Sequence, residues 1–517
     1  MPELRGDHLS VRPLLTAAEA FPALERLFLR AEDRLALGFR IFDPRTRLHS
    51  PEGRAVGADW FDLVAHTLAR GVRVSIALSD FDPVVRPDYH QRATRCHRML
   101  LAAGEVSGRA DLLRVTAALH PAKTGWLPSL VLWPRARDFL RRTVREINAL
   151  RPHVRTRRRH DLPLLAPYFS EHPDRRVRLR DLRLPRLTPV THHQKVAVAD
   201  GRLLYVGGLD LNDRRWDTLD HARPGAETWH DLQVLVEGPV AAEAERHLET
   251  FLACVEGAAT PPSLPRLLRT MSRRRSIDLP FLSPMPLLSE LAQAHAEQAR
   301  AARRLIYLES QFFRDTRFAR VLAREARCKP DLRLVLILPA APEDVAYRGN
   351  RGSDARFGEF LQARCVRIVR RAFGPRVFIG SPAQPRPAAP EDVGRARLYG
   401  APLVYLHAKL SIFDDVAIVS SANLNGRSLA WDTEVGVALT RPEHVDPLRR
   451  RCVAHWLGGE ADPAFLDPST AVEAWRGLAR ANARTPLERR RGFILPYVAA
   501  PARRFGWNLP GIPEEMV

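Results

Sequence analysis

Two segments of this chain carry a histidine, a lysine and an aspartate at the same spacing. The pattern His-x-Lys-x4-Asp occurs as His193, Lys195 and Asp200, and again as His407, Lys409 and Asp414. The chain has 80 basic residues, and its few lysines are Lys123, Lys195, Lys329 and Lys409. A neutral imidazole can attack phosphorus, a protonated one can donate to a leaving alcohol, and lysine can stabilise the phosphate oxygens. The paired motifs therefore predict chemistry on a phosphodiester.

Both motifs have the alternation of a β-strand that is polar on one face. His407 and Lys409 fall on one face, whereas Leu406 and Leu410 fall on the other, which predicts packing behind a polar cavity. Asp200-Gly201 predicts a hairpin after the first motif. Small residues follow each motif and would let a phosphate approach the backbone, and a polar residue that can hydrogen-bond comes next: Gly207, Gly208 and Asp210 in one copy, Ser420, Ser421 and Asn423 in the other.

The surrounding sequence repeats as well. Leu211-Asn212 and Trp216-Asp217-Thr218 return as Leu424-Asn425 and Trp431-Asp432-Thr433. Each half also opens with a β-α-β pattern, predicted at 35–42, 60–70 and 72–78 and at 305–313, 318–328 and 332–338. The repeat predicts an α/β fold of two duplicated α/β/α-sandwich halves with mixed, mostly parallel sheets.

The predicted domain order follows from this duplication. The N-terminal half covers 1–257, with an insertion at about 81–186, and the C-terminal half covers 286–460. Between them lies a linker rich in proline and arginine at 258–285, because proline interrupts regular structure. Residues 461–517 form a C-terminal extension.

Composition limits the class of protein. A formal charge of +21 attracts polyanions such as nucleic acid or anionic lipid, although the arginine bias of a GC-rich genome would produce the same excess. The five cysteines are scattered and predict neither disulfides nor a zinc site. The start of the chain has no apolar segment typical of a signal peptide, and no transmembrane helix is predicted. These features favour a cytoplasmic monomer that binds membranes peripherally.

Together, the motifs resemble those of the phospholipase D superfamily. The resemblance extends to Tyr307-Leu308-Glu309-Ser310-Gln311, Gly207-Gly208-Leu209-Asp210 and Trp229-His230-Asp231, and the last two are similar to segments of the phospholipid-cleaving branch. It implies that the halves are related by a pseudo-twofold axis and form one active site at their interface. The sequence departs from the family pattern in having Ser420-Ser421 in place of Gly-Ser and Asp210 in place of the commoner asparagine.

The resemblance also implies roles for individual residues. His193 would be the nucleophile and His407 the general acid and base. Asp231 and Glu434 would orient the imidazoles, and Asp200 and Asp414 would be structural. The phosphate would be bound by Lys195, Lys409, Asp210 and Asn423. No metal or other cofactor is implied.

The expected function is a phospholipase D-type reaction on a glycerophospholipid at a membrane surface. Water as acceptor would give phosphatidic acid, and an alcohol would give a transphosphatidylation product. Three alternatives stay open: a cardiolipin-synthase-like phosphatidyltransferase, a nuclease of the same superfamily, and a non-enzymatic scaffold that binds phosphate. The charge favours nucleic acid as a partner, whereas the Trp229-His230-Asp231 segment favours lipid.

Overall fold

The fold is described from a computed structural model, which covers residues 7–171, 176–180, 183–277 and 279–517. Residues 1–6, where part of the predicted signal-free N-terminus falls, lie outside the described residues. So do 172–175 and 181–182 of the predicted insertion and residue 278 of the predicted linker.

The first half contains both strands and helices. Its strands are β1 (Ser10–Leu15), β2 (Arg34–Phe39), β3 (Arg73–Ser79), β4 (Leu113–Ala118), β5 (Phe169–Glu171), β6 (Val177–Leu179), β7 (Lys195–Ala199), β8 (Leu203–Gly207) and β9 (Leu232–Glu237). Its helices are α1 (Thr16–Arg30), α2 (Pro51–Val56), α3 (Trp60–Ala69), α4 (Pro87–Val106), α5 (Trp126–Asn148), α6 (Pro152–His160) and α7 (Pro239–Glu256). The helix predicted at 60–70 is α3, which begins where the Asp59 side chain accepts from the amides of Phe61 and Asp62.

The second half repeats much of this order. Its strands are β10 (Leu267–Arg273), β11 (Met285–Ser289), β12 (Leu305–Ser310), β13 (Arg333–Ile337), β14 (Val377–Pro382), β15 (Arg397–Leu398), β16 (Ala401–Pro402), β17 (Lys409–Phe413), β18 (Val416–Ser420), β19 (Glu434–Leu439) and β20 (Ile494–Pro496). Its helices are α8 (Glu290–Ala301), α9 (Thr316–Cys328), α10 (Glu343–Tyr347), α11 (Ser353–Phe373), α12 (Gly426–Ala430), α13 (Pro442–Leu457), α14 (Ala471–Arg484) and α15 (Ala499–Phe505).

Each half is built on one large mixed sheet. The first has the order β1-β9-β8-β7-β2-β3-β4, and the second has the order β11-β10-β19-β18-β17-β12-β13-β14-β20. The run β9-β8-β7-β2-β3-β4 therefore has its counterpart in β19-β18-β17-β12-β13-β14. This confirms the predicted α/β class with mixed sheets.

The prediction that the sheets are mostly parallel was wrong. Parallel pairing is confined to β2-β3-β4 and β12-β13-β14 within the two large sheets. The motif strands instead belong to antiparallel meanders, β7-β8-β9 and β17-β18-β19. The β-α-β pattern accounts only for the strands that are joined by crossover helices, because short hairpins reverse the chain at the motifs.

The apolar faces of the motif strands form a core that is shared by both halves. Val196 and Val198 of β7 belong to the same buried cluster as Leu410 and Ile412 of β17. Burial of this common apolar surface stabilises the association of the two sheets. The packing faces predicted from the alternation are therefore correct.

Two predicted boundaries need correction in detail. Inside the stretch expected to be a linker, β10 pairs with β19 and extends the second sheet. Proline interrupts the chain on both sides of β10, but Leu267 to Arg273 contains none and is free to make ladder hydrogen bonds. In the C-terminal extension, β20 pairs with β14, so the extension completes the second half.

The predicted insertion contains α4, α5 and α6, of which α5 is the longest. Across the described part of the chain, no helix has both the length and the apolar character needed to cross a bilayer.

Candidate active site

The aspartate of each motif turns the chain after the motif strand. Asp200 has a φ of 52° and Asp414 a φ of 48°, in the left-handed region that suits a tight turn. The Asp200 carboxylate accepts from the amides of Glu32, Asp33 and Arg34 at 3.0, 2.9 and 2.8 Å. Each aspartate thus joins its hairpin to the chain entering the neighbouring strand.

The second copy makes the same contacts. The Asp414 carboxylate accepts from the amides of Arg303, Arg304 and Leu305 at 2.6, 3.1 and 2.8 Å. Both carboxylates accept hydrogen bonds from backbone amides, which is the contact pattern of a structural residue.

Backbone hydrogen bonds cross between the halves immediately beside both histidines. The His193 amide donates to the Thr433 carbonyl at 2.9 Å, and the Thr433 amide donates to the Thr191 carbonyl at 3.0 Å. The His407 amide donates to the His230 carbonyl at 2.7 Å, and the His230 amide donates to Tyr405 at 2.8 Å. Each motif is therefore hydrogen-bonded through its backbone to a segment of the opposite half.

These links bring each histidine to a carboxylate of the other half. His193 Nδ1 lies 2.8 Å from Glu434 Oε1, and His407 Nδ1 lies 2.6 Å from Asp231 Oδ2. A proton held between Nδ1 and the carboxylate leaves Nε2 available for chemistry, as in a catalytic triad. The sequence predicted the carboxylates but did not say which histidine each would contact.

The two lysines lie beside the same histidines. Lys195 Nζ is 3.1 Å from His193 Nδ1, and Lys409 Nζ is 2.9 Å from His407 Nδ1. Each ammonium also donates to the carbonyl of its own histidine. Burial lowers the pKa of Lys195 to about 8 and that of Lys409 to about 7.

The histidines and carboxylates are shifted in opposite directions. Burial, reinforced by the nearby lysines, lowers the pKa of both His193 and His407 well below the usual value. Burial raises the pKa of Asp231 to about 7 and that of Glu434 to about 8. Both shifts disfavour the charged forms of the buried groups, so His193 is not an imidazolium ion near neutral pH.

The small residues after the motifs make room for side chains. A Cβ on Gly207 would lie 1.8 Å from Gln233 Oε1, and one on Gly208 would lie 2.2 Å from Asp231 Oδ1 and 3.0 Å from Lys409 Cδ. A larger residue at Gly208 would displace Asp231 and Lys409, the partners of His407, and one at Gly207 would displace Gln233. The space beside the two glycines, which was predicted to admit a phosphate, is therefore occupied by protein side chains.

Ser420 and Ser421 were predicted to bind substrate, but the structure gives their hydroxyls other partners. Ser421 Oγ donates to Glu434 Oε2, and Ser420 Oγ accepts from the Ala422 amide at 3.2 Å. Ser421 thereby holds the carboxylate that contacts His193. The Gly-Ser turn of the family would keep a serine at position 421, so the hydroxyl that contacts Glu434 does not depend on the departure at Ser420.

Asp210 and Asn423 also differ in their surroundings. Asp210 is buried and paired with Arg40, whose Nη1 lies 3.1 Å from its Oδ2. A carboxylate repels a phosphate, so this contact suits a residue that positions Arg40 rather than one that binds the anion. The Asn423 amide oxygen is buried without a hydrogen-bond partner in the described structure, so this side chain remains available to a ligand.

Three arginines near the histidines were not predicted. Arg40 and Arg427 each contribute to the lowered pKa of His193, and Arg215 does so for His407. Arg215 also stacks on Trp229, with its guanidinium carbon 3.6 Å from the ring centre. Among so many arginines, spacing alone could not distinguish them, although Arg215 directly precedes the repeated Trp-Asp-Thr segment.

Comparisons with known proteins point to one superfamily. No protein-family model matches the chain. It is 24% identical to phospholipase D alpha 1 of Carica papaya over 54% of this chain and 50% of that protein. It is likewise 24% identical to phospholipase D alpha 1 of Arabidopsis thaliana over 55% and 51%. The chain spans about half the length of the curated relatives it matches.

Overlaps with solved structures are weaker. A phosphatidylserine synthase of Haemophilus influenzae overlaps 92% of this chain and 93% of its own at a TM-score of 0.45 and 11% identity. The names of these relatives agree with the resemblance seen in the residues. The chain is thus similar to members of the phospholipase D superfamily.

Proposed function

We propose that this chain is a phosphodiesterase that cleaves the headgroup phosphodiester of a glycerophospholipid and transfers the phosphatidyl group to water or an alcohol. The observation that carries the proposal is the crossed pairing of His193 with Glu434 and of His407 with Asp231. Both imidazoles are thereby oriented with Nε2 free, and a lysine accompanies each.

In the first step, His193 Nε2 attacks phosphorus. The P–N bond forms as the P–O bond to the headgroup breaks, and His407 gives its proton to the departing oxygen. A bound phosphodiester anion offsets the charge of the lysines, which raises the pKa of His407 and allows it to carry that proton. Lys195 and Lys409 stabilise the negative charge on the equatorial oxygens.

In the second step, His407 takes a proton from water or from an alcohol. The resulting oxygen nucleophile attacks phosphorus, the P–N bond breaks, and His193 returns to its starting state. Phosphatidic acid is the product with water, and a new phosphatidyl ester is the product with an alcohol. The electrons of each broken bond stay with the leaving atom, so no redox partner is needed.

Two observations support a lipid as the substrate. The relatives named above are phospholipases D, and the first turns of α5 leave apolar side chains in solvent. Trp126, Leu127, Leu130 and Val131 are 49%, 52%, 53% and 80% exposed. We call these four residues the α5 patch.

Cationic and aromatic groups border the α5 patch. The Leu127 amide donates to the Leu279 carbonyl, and the Gly125 amide to that of Phe281, which places two more exposed apolar residues beside it. Arg186 lies over the Trp126 ring and Arg275 over that of Phe281. Apolar residues bordered by arginines suit the interface of an anionic bilayer.

The α5 patch is linked to the first motif by a short segment that begins at His120. The His120 ring, six residues before Trp126, lies 5.1 Å from that of His192. Because six extended residues span at most about 20 Å, a membrane on the patch would lie near His193.

The proposal is tested with the purified chain and vesicles of phosphatidylcholine or phosphatidylglycerol in the presence of a primary alcohol. Single- and double-stranded DNA are incubated in parallel. We expect a phosphatidyl-alcohol product that is lost in both His193→Ala and His407→Ala. The exposed His66→Ala serves as the matched control and should retain activity.

Each of the other outcomes would favour one of the alternative functions. Cleavage of DNA without turnover of lipid would assign the chain to the nucleases. Phosphate binding without turnover of either substrate would make it a scaffold. Formation of cardiolipin from phosphatidylglycerol alone, with no hydrolysis and no use of the added alcohol, would favour the synthase-like reaction.

A further inference from the structure

Behind the catalytic pair, three histidines from distant parts of the chain meet in the interior. His221 and His230 come from the first half and His455 comes from the end of α13. Each offers one ring nitrogen, and these nitrogens all lie within 4.8 Å of one another. His221 and His230 are fully buried or nearly so, at 0% and 1% exposure.

The hydrogen bonds of His221 leave a lone pair facing the cluster. Its Nδ1 lies 2.7 Å from Asp217 Oδ2, so that nitrogen carries the proton and Nε2 is unprotonated. Nε2 in turn lies 3.1 Å from His455 Nε2. A buried carboxylate behind a histidine is the arrangement that orients and strengthens imidazole ligands of metals.

Two polar atoms beside this pair have no partner within the described structure. They are His230 Nδ1 and Glu309 Oε2, both buried. Glu309 Oε2 lies 3.7 Å from His230 Nε2, whereas Glu309 Oε1 accepts from Tyr307 and Trp456 at 2.6 and 2.9 Å. Burying unpaired polar atoms costs free energy, so the cluster is incomplete as a hydrogen-bonded network.

We propose that His221, His230 and His455 bind one zinc ion. Zinc favours tetrahedral sites of nitrogen and oxygen ligands with bonds of about 2.0–2.2 Å, which holds neighbouring ligand atoms roughly 3.4 Å apart. The 3.1 Å between His221 and His455 is close to that spacing. Trp456 and Phe493 pack against the histidine rings and enclose the site.

The zinc ion would join the two halves next to the catalytic pair. His221 and His230 belong to the first half, whereas His455 belongs to the second. His230 directly precedes Asp231, and its carbonyl accepts from the His407 amide. The ion would therefore be structural and would hold Asp231 against His407, without contact with the reacting phosphate.

The test measures metal content and needs no substrate, so its outcome is independent of the proposed function. The full chain is produced in zinc-supplemented medium, dialysed against a weak chelator and analysed by mass spectrometry of its metals. We expect one equivalent of zinc in the native chain and in His193→Ala. Retention should fall at least ~10-fold in His221→Asn and His455→Gln, as expected when a ligand or its support is removed.

The matched control is His295→Gln, which removes a buried histidine that bonds Leu291 and Ser411 outside the cluster. It should keep its zinc. A second measurement needs no variant at all: cobalt added to the metal-stripped native chain should give the visible absorption of a tetrahedral site and raise the melting temperature.

Either of two results would overturn the proposal. One is a native chain that retains less than about a tenth of an equivalent of zinc and shows no tetrahedral cobalt spectrum. The other is zinc that remains bound when His221 and His455 are both replaced.

Discussion

Among individual residues, burial beside like charges lowers the pKa values of both motif histidines and both motif lysines. His193 and His407 are buried among cations, so their protonated forms are disfavoured. Burial also disfavours the charged forms of Lys195 and Lys409, and their pKa values therefore fall toward neutrality. The motif aspartates, by contrast, cap backbone groups at the hairpins and take no part in this charge balance.

The pH dependence of turnover follows from these shifts. As pH rises through about 7 and then about 8, Lys409 and Lys195 lose their protons, so less positive charge opposes the phosphate and kcat/KM falls. As pH falls, His193 becomes protonated and loses its lone pair, but its lowered pKa places this limb below pH 6.5. We expect a bell-shaped profile with its maximum between the two limbs, measured on a soluble short-chain phosphodiester.

The exposed Lys123 offers a control for general effects of pH. Lys123→Arg should leave the profile unchanged, since this lysine is remote from the motifs in sequence and exposed. A native profile that keeps rising from pH 7 to pH 9 is incompatible with a requirement for charged Lys195 and Lys409.

Among the strands and loops, the important arrangement is the exchange of partners between the halves. The strand that starts at Lys195 is preceded by residues that pair with Thr433, whereas the segment before Lys409 pairs with His230. Each half thus supplies a histidine to one pair and a carboxylate to the other. Neither motif histidine finds its carboxylate partner within its own half.

The exchange predicts which step each carboxylate affects. With a substrate that releases p-nitrophenol, departure needs no acid, so attack by His193 is isolated as a burst. Glu434→Gln should slow the burst roughly 10²- to 10⁴-fold, because its amide favours the wrong tautomer of His193. Asp231→Asn should leave the burst nearly intact and slow the later turnover by a similar factor.

The same experiment distinguishes nucleophile from acid. His407→Ala should still give a burst of about one equivalent, whereas His193→Ala should give none. The reverse pattern, with the burst lost in Asp231→Asn and retained in Glu434→Gln, would exchange the roles of the two histidines.

Over the whole molecule, the two sheets provide the frame and the insertion provides a surface. The apolar core between the sheets is continuous, which holds the crossed pairs in register. The insertion adds α5, whose exposed apolar turn lies among arginines. The net charge of +21 favours an anionic bilayer over a neutral one.

A substitution in the α5 patch tests the surface. Replacing both Leu130 and Val131 with glutamate removes about 3 kcal/mol of burial in the bilayer, or roughly 100-fold in affinity for anionic vesicles. Cosedimentation and turnover of vesicles should both fall, whereas turnover of a soluble short-chain phosphodiester should not change. Val106→Glu, on another exposed apolar residue, is the matched control. Equal loss on the soluble substrate would show that the patch does not act through the membrane.

Local spacing alone predicted the placement of the motif side chains and much of the frame. Alternation along a strand places His407 and Lys409 on one face and Leu410 on the other whatever lies beyond, because successive side chains point to opposite sides. The Asp-Gly turn and the helices at 60–69 and 316–328 are likewise encoded by neighbouring residues. These features were predictable because they depend on contacts only a few residues apart.

Only the tertiary structure decided the partners. Glu434 lies 27 residues after His407 yet contacts His193, and Ser421 holds Glu434 instead of a phosphate. His221, His230 and His455 carry no common motif and meet only when the halves pack together. Such contacts depend on how two sheets share one apolar core, a free energy that is spread over many side chains and leaves no local signal in the sequence.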